Sequence, residues 1–171
     1  MQESRKNRET EAPAATAKVE RKAVCYVDGS FNPEAGKYAY GCILIHDDGS
    51  TEEYCGSGDR EDALLQRNVA GEMIGSMFAV RLALIRGYTK LLICYDYSGI
   101  ECWVTGAWKA KNDLTKSYRD WMRGKMEDIE ISFKKVEAHS NDKYNDMADK
   151  LAKQGLLKEP GLPEINVDMK K

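Results

Sequence analysis

Short apolar runs, separated by polar turns, predict five β-strands along the middle of the chain. The runs are AVCYVDGSF (23–31), YAYGCILIH (38–46), the residues near Glu52–Cys55, LLICYD (91–96) and IEISFKKV (129–136). The first strand is expected to end at Asp28-Gly29, and Asp48-Gly49 is typical of a hairpin turn between the second and third strands. The run 91–96 is almost continuously apolar, which favours a central strand that is covered on both faces.

Helical spacing of apolar residues appears between and after these strands. Residues 70–86 carry Met73, Met77, Val80 and Leu84 at helical intervals, and Gly87 is expected to end that helix. Further helices are predicted near 98–105 and 114–126, and a last one that begins near Asn141–Lys143. This order predicts an α/β fold with a five-stranded mixed sheet, three strands antiparallel and then two parallel, with helices on both faces.

Composition is that of a soluble globular domain. The chain has 171 residues, of which 42% are hydrophobic and 32% charged. Residues 1–22 are polar and alanine-rich and predict a flexible tail or linker, while residues 158–171, with two prolines and a glycine, predict a C-terminal tail. We therefore expect one folded domain over 23–157.

Several classes of protein are disfavoured by what the sequence lacks. No run approaches the ~20 consecutive apolar residues that span a bilayer, and the first residues contain no apolar core of a secretory signal. We accordingly expect a cytoplasmic protein that does not associate with membranes. Its five cysteines are an odd number at wide spacings, which favours small core residues over a zinc site or disulfides.

Charge is informative locally rather than in total. The formal net charge is −2, yet residues 107–125 hold six basic residues against two acidic ones. Trp103, Trp108, Tyr118 and Trp121 lie in or beside this segment, and cations interleaved with aromatic rings suit a nucleic-acid groove. The alternative is an amphipathic helix with solvated lysines. We expect Trp103 and Trp121 to be core residues.

Four acidic residues occupy positions where a metal site can form. Asp28 closes the first strand, Glu72 lies in the first turn of a helix, Asp96 closes the strand 91–96, and Asp149 lies on the same side of the last helix as Asn145. A carboxylate at the end of an apolar strand needs a compensating charge, and the carboxyl ends of parallel strands form ligand-binding crevices. Oxygen donors suit Mg²⁺. Three of these acids also have a structural explanation: Asp28 as a turn residue, Glu72 as a helix N-terminal acid and Asp149 as a solvated helix residue.

Five segments together resemble the motifs of type 1 ribonuclease H. They are VDGSF (27–31), NVAGEM (68–73), YDYSGIECW (95–103), VEAHSND (136–142) and NDMADKLAKQG (145–155). The resemblance extends over roughly Val24 to Gly155 and is strongest to a bacterial branch that often carries an N-terminal viroplasmin-like hybrid-binding domain. No such domain is found in this sequence, and the polar tail is compatible with the remains of its linker.

That resemblance implies a ribonuclease H-like fold and an endonuclease that cuts the RNA strand of RNA–DNA hybrids. It implies two Mg²⁺ ions, with Mn²⁺ as a substitute, and 5′-phosphate and 3′-hydroxyl products. By the same resemblance Asp28, Glu72, Asp96 and Asp149 match the metal-binding carboxylates, and His139 matches a mobile catalytic histidine. The implied substrate-binding residues are Gly29, Ser30, Asn32, Asn68, Lys109, Lys111 and Lys116. We expect a monomer.

One position departs from the common family pattern. Many relatives have serine after the third acidic residue, whereas this chain has Tyr97 after Asp96. Any hydroxyl contact of that serine is therefore in doubt. Two alternatives stay open at this stage: a non-catalytic hybrid-binding module, or another nuclease of the same superfold, since a fold does not specify a function.

Overall fold

The computed structural model describes residues 19–137 and 142–167, which contain five strands and five helices. The strands are β1 (Lys22–Asn32), β2 (Lys37–Ile45), β3 (Thr51–Gly58), β4 (Lys90–Tyr95) and β5 (Glu130–Lys135). The helices are α1 (Glu61–Leu64), α2 (Asn68–Ile85), α3 (Gly99–Thr105), α4 (Asp113–Lys125) and α5 (Lys143–Gly155). Helix α1 was not predicted, because a single helical turn is too short to show an apolar period.

The sheet has the strand order β3-β2-β1-β4-β5, which confirms the predicted mixed sheet. Strands β1, β2 and β3 pair antiparallel, whereas β4 and β5 run parallel to β1. The antiparallel part follows from two short connections, while the parallel strands need helical crossovers.

Two of the predicted element boundaries were wrong, and both concern acidic residues. Strand β1 continues to Asn32 because it stays paired with β2, so Asp28 lies within the strand and not at its end. Its pairing with β4 stops at Tyr26, opposite Cys94. Helix α2 begins at Asn68, which places Glu72 in the second turn instead of the first.

Glycines allow two helices to approach the central strands from opposite faces. A Cβ atom at Gly29 would lie 2.0 Å from the carbonyl oxygen of Asn68 in α2, and one at Gly41 would lie 2.4 Å from the carbonyl oxygen of Ala148 in α5. Such distances are shorter than any real Cβ contact, so glycine is required at both positions. The helices that carry Glu72 and Asp149 are thereby held against β1 and β2.

The core is built mainly between the sheet and α2. By length and composition alone, that helix is long and apolar enough to cross a membrane. However, 61% of it is buried inside the protein, as is typical of a helix in the core of a soluble protein. Trp103 is buried and Trp121 packs against the core, as expected for both. All five cysteines are unpaired; four are buried and Cys102 is partly buried.

Residues after α5 pack on the domain more closely than the predicted tail over 158–171 implies. The carbonyl oxygen of Lys158 accepts hydrogen bonds from Ser57 Oγ at 3.0 Å and Lys37 Nζ at 2.8 Å. Further along, Ile165 packs against the core, and the carbonyl oxygen of Asn166 accepts from Arg86 Nη1 at 2.8 Å. The segment 158–167 therefore crosses the domain from the β3 edge to the end of α2.

Candidate active site

Asp28 and Asp96 lie side by side where β1 and β4 part. Because Tyr26 is opposite Cys94 in the parallel pair, the residues two positions further on each strand are Asp28 and Asp96. The pKa of Asp28 is raised to about 7, chiefly by burial; the N–H group of Gly29 opposes the shift, and the neighbouring charges of Asp149 and Asp96 add to it. That N–H group donates to Asp28 Oδ1 at 2.9 Å.

Glu72 approaches the same point from α2. Its side chain accepts hydrogen bonds from the backbone N–H groups of Asp96, at 2.7 Å, and Tyr97, at 3.2 Å. The residue is only 3% exposed. Burial raises the pKa of Glu72 to about 8, helped by the charges of Asp28 and Asp96 and opposed by the two N–H groups. Glu72 is thus a buried group aimed at the end of β4 and not a solvated acid at a helix N-terminus.

Asp149 reaches the site from the opposite face of the sheet, on α5. The neighbouring charge of Asp149 is one cause of the raised pKa of Asp28. One of the Asp149 oxygens lies 3.1 Å from Lys153 Nζ. The structure therefore brings together the four predicted acids, Asp28, Glu72, Asp96 and Asp149, which we call the carboxylate cluster.

The chemistry of the carboxylate cluster fits a hard divalent cation. All of its donors are oxygens, which Mg²⁺ and Mn²⁺ prefer, and its raised pKa values show that negative charge there lacks compensation. Within residues 19–137 and 142–167, no three acidic, histidine or cysteine side chains have the spacing of a formed metal site.

His139 lies in the stretch 138–141, outside the described residues, so its predicted role stays a prediction. The described residues on either side of that stretch end close to the site. Val136 donates its N–H to the carbonyl oxygen of Tyr95, next to Asp96, at 2.7 Å. Asp142 is the N-cap of α5, the helix that carries Asp149.

The residues in and near β1 that are predicted to contact substrate differ in their solvent exposure and in their hydrogen bonds. Asn68 is exposed at the start of α2. Gly29 and Ser30 are partly buried in β1. The side-chain oxygen of Asn32 accepts from the N–H groups of Glu34 at 3.0 Å and Ala35 at 3.2 Å, so this oxygen is engaged in the β1–β2 turn.

Arg67, which the sequence analysis overlooked, precedes Asn68 with a backbone φ of 56°. A non-glycine residue in this region is uncommon. Its guanidinium carbon lies 5.8 Å from the centre of the Phe31 ring. An exposed cation therefore stands beside Asn68, and only the folded backbone reveals its conformation.

The basic segment forms an open groove beside the carboxylate cluster. This basic groove has a volume of about 510 Å³ and is lined by Trp103, Trp108, Lys109, Lys111, Asn112 and Thr115. Of the three predicted lysines, Lys109 and Lys111 therefore lie together. Lys116 is exposed on α4 and is not among the residues that line the groove.

Tyr97 connects the basic groove to the carboxylate cluster. Its N–H group binds Glu72, while its ring lies 5.8 Å from that of Trp103 and 5.9 Å from that of Trp108, measured between ring centres. Trp108 and Tyr97 are 41% and 40% exposed, so part of this aromatic surface faces solvent. The sequence had shown Tyr97 only as a departure from a motif.

Comparison with known proteins identifies relatives over the whole folded region. The model of the RNase H family matches residues 20–157. A ribonuclease H of Wolbachia pipientis is 29% identical over 147 residues, which cover 80% of this chain and 97% of that protein. A ribonuclease H of Pseudoalteromonas translucida is 27% identical over 145 residues, covering 79% of this chain and 90% of that protein.

Solved structures share the ribonuclease H-like fold that the motifs implied. RNase H1 of Halobacterium salinarum superimposes with a TM-score of 0.67 at 23% identity, covering 79% of this chain and 97% of that one. LC11-RNase H1, solved in complex with an RNA/DNA hybrid, superimposes with a TM-score of 0.62 at 14% identity, covering 78% of this chain and 99% of that one. At these identities the structures establish the fold alone.

Proposed function

This chain belongs to the RNase H family, and from that premise we propose that it is an endonuclease that hydrolyses the RNA strand of RNA–DNA hybrids. The observation that carries the proposal is the carboxylate cluster. Four acids from β1, α2, the end of β4 and α5 converge there, and burial and like charge raise the pKa of Asp28 and of Glu72. Acidic residues that converge in one place and have perturbed pKa values are expected of a functional site.

The surface around the cluster supports a nucleic-acid duplex as substrate. LC11-RNase H1 was solved with an RNA/DNA hybrid, and we extend that substrate to this chain as part of the proposal. Lys109 and Lys111 in the basic groove would neutralise phosphates of the DNA strand, and the exposed ring of Trp108 would pack against its sugars. Asn68 would contact the RNA strand, where 2′-hydroxyl groups distinguish RNA from DNA.

Asp28, Glu72, Asp96 and Asp149 would hold two cations, Mg²⁺ or its substitute Mn²⁺. When bound, the cations would activate the attacking water and stabilise the leaving 3′-oxygen. The charges of both Asp96 and Asp149 act on Asp28, so Asp28 would contribute to holding both cations. Glu72 is oriented by two backbone N–H groups, which hold its carboxylate at the end of β4. Protons on Asp28 and Glu72 would be displaced as a cation binds, because ligands must be deprotonated.

We propose that His139 transfers a proton during the reaction. We also propose that the products carry a 5′-phosphate and a 3′-hydroxyl, as the family chemistry implies. A histidine side chain can change its protonation state near neutral pH and so deliver a proton to a leaving oxygen. Tyr97 stands where many relatives have serine, and its ring is engaged with Trp103 and Trp108. We therefore assign it no hydroxyl contact. We propose further that the protein acts as a cytoplasmic monomer.

A cleavage assay on three substrates tests the proposal. Labelled RNA–DNA hybrid, duplex DNA and duplex RNA would be incubated with wild type, Asp96→Asn and Asp128→Asn in Mg²⁺. Asp128 is exposed beyond α4, which makes its variant a matched control for the loss of one charge.

Wild type and Asp128→Asn should cut only the hybrid of the three substrates. Asp96→Asn should bind the hybrid without cutting it. Cleavage of all three duplexes would favour another nuclease of the same superfold. Hybrid binding without cleavage by wild type would favour a non-catalytic binding module.

A further inference from the structure

A hydrogen bond joins the first turn of α5 to β1. Tyr26 Oη donates to Asp142 Oδ2 at 3.1 Å. The other oxygen of Asp142 caps the helix by accepting from the N–H groups of Tyr144 at 3.0 Å and Asn145 at 3.3 Å. The rings of Tyr26 and Tyr144 pack with their centres 5.5 Å apart. One carboxylate therefore both starts the helix and ties it to the sheet.

This contact runs alongside the contact between two members of the carboxylate cluster. Tyr26 precedes Asp28 by two residues, which puts both on the same face of β1, about 7 Å apart along the strand. Asp142 precedes Asp149 by seven residues, or two helical turns, which puts both on the same side of α5, about 10 Å apart. Strand and helix thus meet at two neighbouring pairs, Tyr26–Asp142 and Asp28–Asp149.

The two pairs have opposite electrostatic character. Asp28 and Asp149 are both acids, so the contact between them is repulsive when both are ionised. Between Tyr26 and Asp142 the contact is an attractive hydrogen bond to a charged group, the stronger kind in proteins. The attractive pair opposes the tendency of the repulsive pair to push the helix away from the strand.

Backbone packing holds α5 at two points nearer its C-terminal end. The helix approaches β2 at Gly41, against Ala148, and its last residue Gly155 lies against the backbone of Gly56 in β3. Both contacts lie beyond the first turn, toward the C-terminal end of the helix. The Tyr26–Asp142 bond is a separate point of attachment, which joins the N-terminal end of the helix to β1.

We propose that Tyr26 is a positioning residue for the hydrolysis, an inference that rests on the proposed function. Through Asp142 it holds the N-terminal end of α5 against β1 and thereby helps to place the Asp149 carboxylate relative to Asp28. Tyr26 itself does not touch the substrate or the reacting atoms in this scheme. Loss of its hydroxyl should therefore reduce turnover and metal affinity with little effect on hybrid binding.

The test compares two variants that each remove one tyrosine hydroxyl bonded to a carboxylate. Tyr26→Phe removes the bond to Asp142, and Tyr54→Phe removes a bond of 2.7 Å to Glu52 on β3, outside the carboxylate cluster. Both should lower the melting temperature slightly. Tyr26→Phe should lower kcat about tenfold with KM nearly unchanged, because small misplacements of catalytic groups are costly. Tyr54→Phe should leave both constants near wild type.

Asp142→Ser examines whether the effect passes through the proposed bond. Serine caps a helix nearly as well as aspartate, but its short side chain cannot also reach Tyr26. The double variant should therefore be no slower than either single variant, since both changes break the same contact. If the losses in kcat of the two single variants multiply in the double variant, the proposal that Tyr26 acts through Asp142 is wrong. Equal kcat values for Tyr26→Phe and wild type would also overturn it.

Two further measurements do not depend on cleavage. Amide hydrogen exchange at Tyr144 and Asn145 should accelerate in Tyr26→Phe and stay unchanged in Tyr54→Phe. Calorimetric titration with Mg²⁺ should show several-fold weaker binding to Tyr26→Phe. If wild type cleaves no hybrid, the proposed function fails, and this titration then decides the inference: equal Mg²⁺ affinity of Tyr26→Phe and wild type would overturn it.

Discussion

Replacing Asp28 by asparagine removes one negative charge from the carboxylate cluster and leaves the side-chain volume nearly unchanged. The amide oxygen can still accept from the N–H group of Gly29, and the new amide group can donate to Asp149. A shared metal ligand is lost at the same time. We therefore expect Asp28→Asn to abolish cleavage and, in the absence of divalent cations, to stabilise the fold.

The size of the stabilisation follows from the raised pKa of Asp28. Its pKa rises from 3.8 to about 7 on folding. At ~1.4 kcal/mol per pKa unit, the ceiling on the gain is about 4 kcal/mol. Asp28 is not fully buried, so solvent screens part of this effect and we expect about half of it, ~2 kcal/mol. For a domain of this size, that corresponds to a melting temperature higher by roughly 5 °C.

The gain has a defined dependence on pH. In the unfolded chain Asp28 loses its proton near pH 3.8, whereas in the folded protein it keeps the proton up to about pH 7. Between these values the folded state binds the additional proton, so a rise in pH lowers the free energy of unfolding of wild type. The advantage of Asp28→Asn should be absent below about pH 4, grow up to about pH 7 and stay constant above that.

Thermal unfolding in EDTA at pH 4 and pH 8 measures this effect, with Asp128→Asn as the control for an exposed charge. Added Mg²⁺ should raise the melting temperature of wild type far more than that of Asp28→Asn, because only the folded wild type has the full ligand set. A lower melting temperature for Asp28→Asn at pH 8, or a gain that is the same at both pH values, would refute the account of Asp28 as an uncompensated, buried acid.

Three further predictions follow from other parts of the molecule. Truncation after Leu157 should lower the melting temperature by several degrees, because Ile165 leaves the core and Arg86 loses a hydrogen-bond acceptor. Deletion of residues 1–18 should change the melting temperature little. Equal effects of the two deletions would contradict the claim that residues 158–167 pack on the domain. Replacing Lys109, Lys111 and Lys116 by alanine should flatten the salt dependence of hybrid binding by up to about 2.7 in log K against log[salt], most of it from the two groove lysines, while kcat at saturation stays close to wild type; an unchanged slope would remove them from the site. His139→Ala should slow single-turnover cleavage, at the lower end of the ~10²–10⁴-fold typical of acid–base groups, without weakening Mg²⁺ binding, and an unchanged rate would exclude a catalytic role.

Local pattern was sufficient for most of the architecture. The apolar runs at 23–31, 38–46 and 91–96 correspond to β1, β2 and β4, and the helical spacing over 70–86 corresponds to α2. Such segments are long, and their periods of two or 3.6 residues follow from side-chain geometry, so the sequence alone specifies them. The family motifs then indicated which acids to examine, although their roles stay predictions.

Interactions between distant segments were beyond the reach of local pattern. The extension of β1 past Asp28 depends on pairing with β2, and the attachment of residues 158–167 depends on contacts with Ser57 and Arg86. Nothing in the sequence near Glu72 indicates that two N–H groups at the end of β4 bind it.

The sequence by itself determined the order of the elements and indicated which acidic residues to expect at the site. The tertiary structure decided how those residues meet: that Glu72 is buried, that Asp28 lies level with Asp96, and that Tyr26 ties down α5 through Asp142. The physical reason is that burial, pKa shifts and hydrogen bonds between segments depend on distances across the fold. Those distances are set by glycine contacts such as Gly29 with α2 and by sheet register, which act only once the chain has folded.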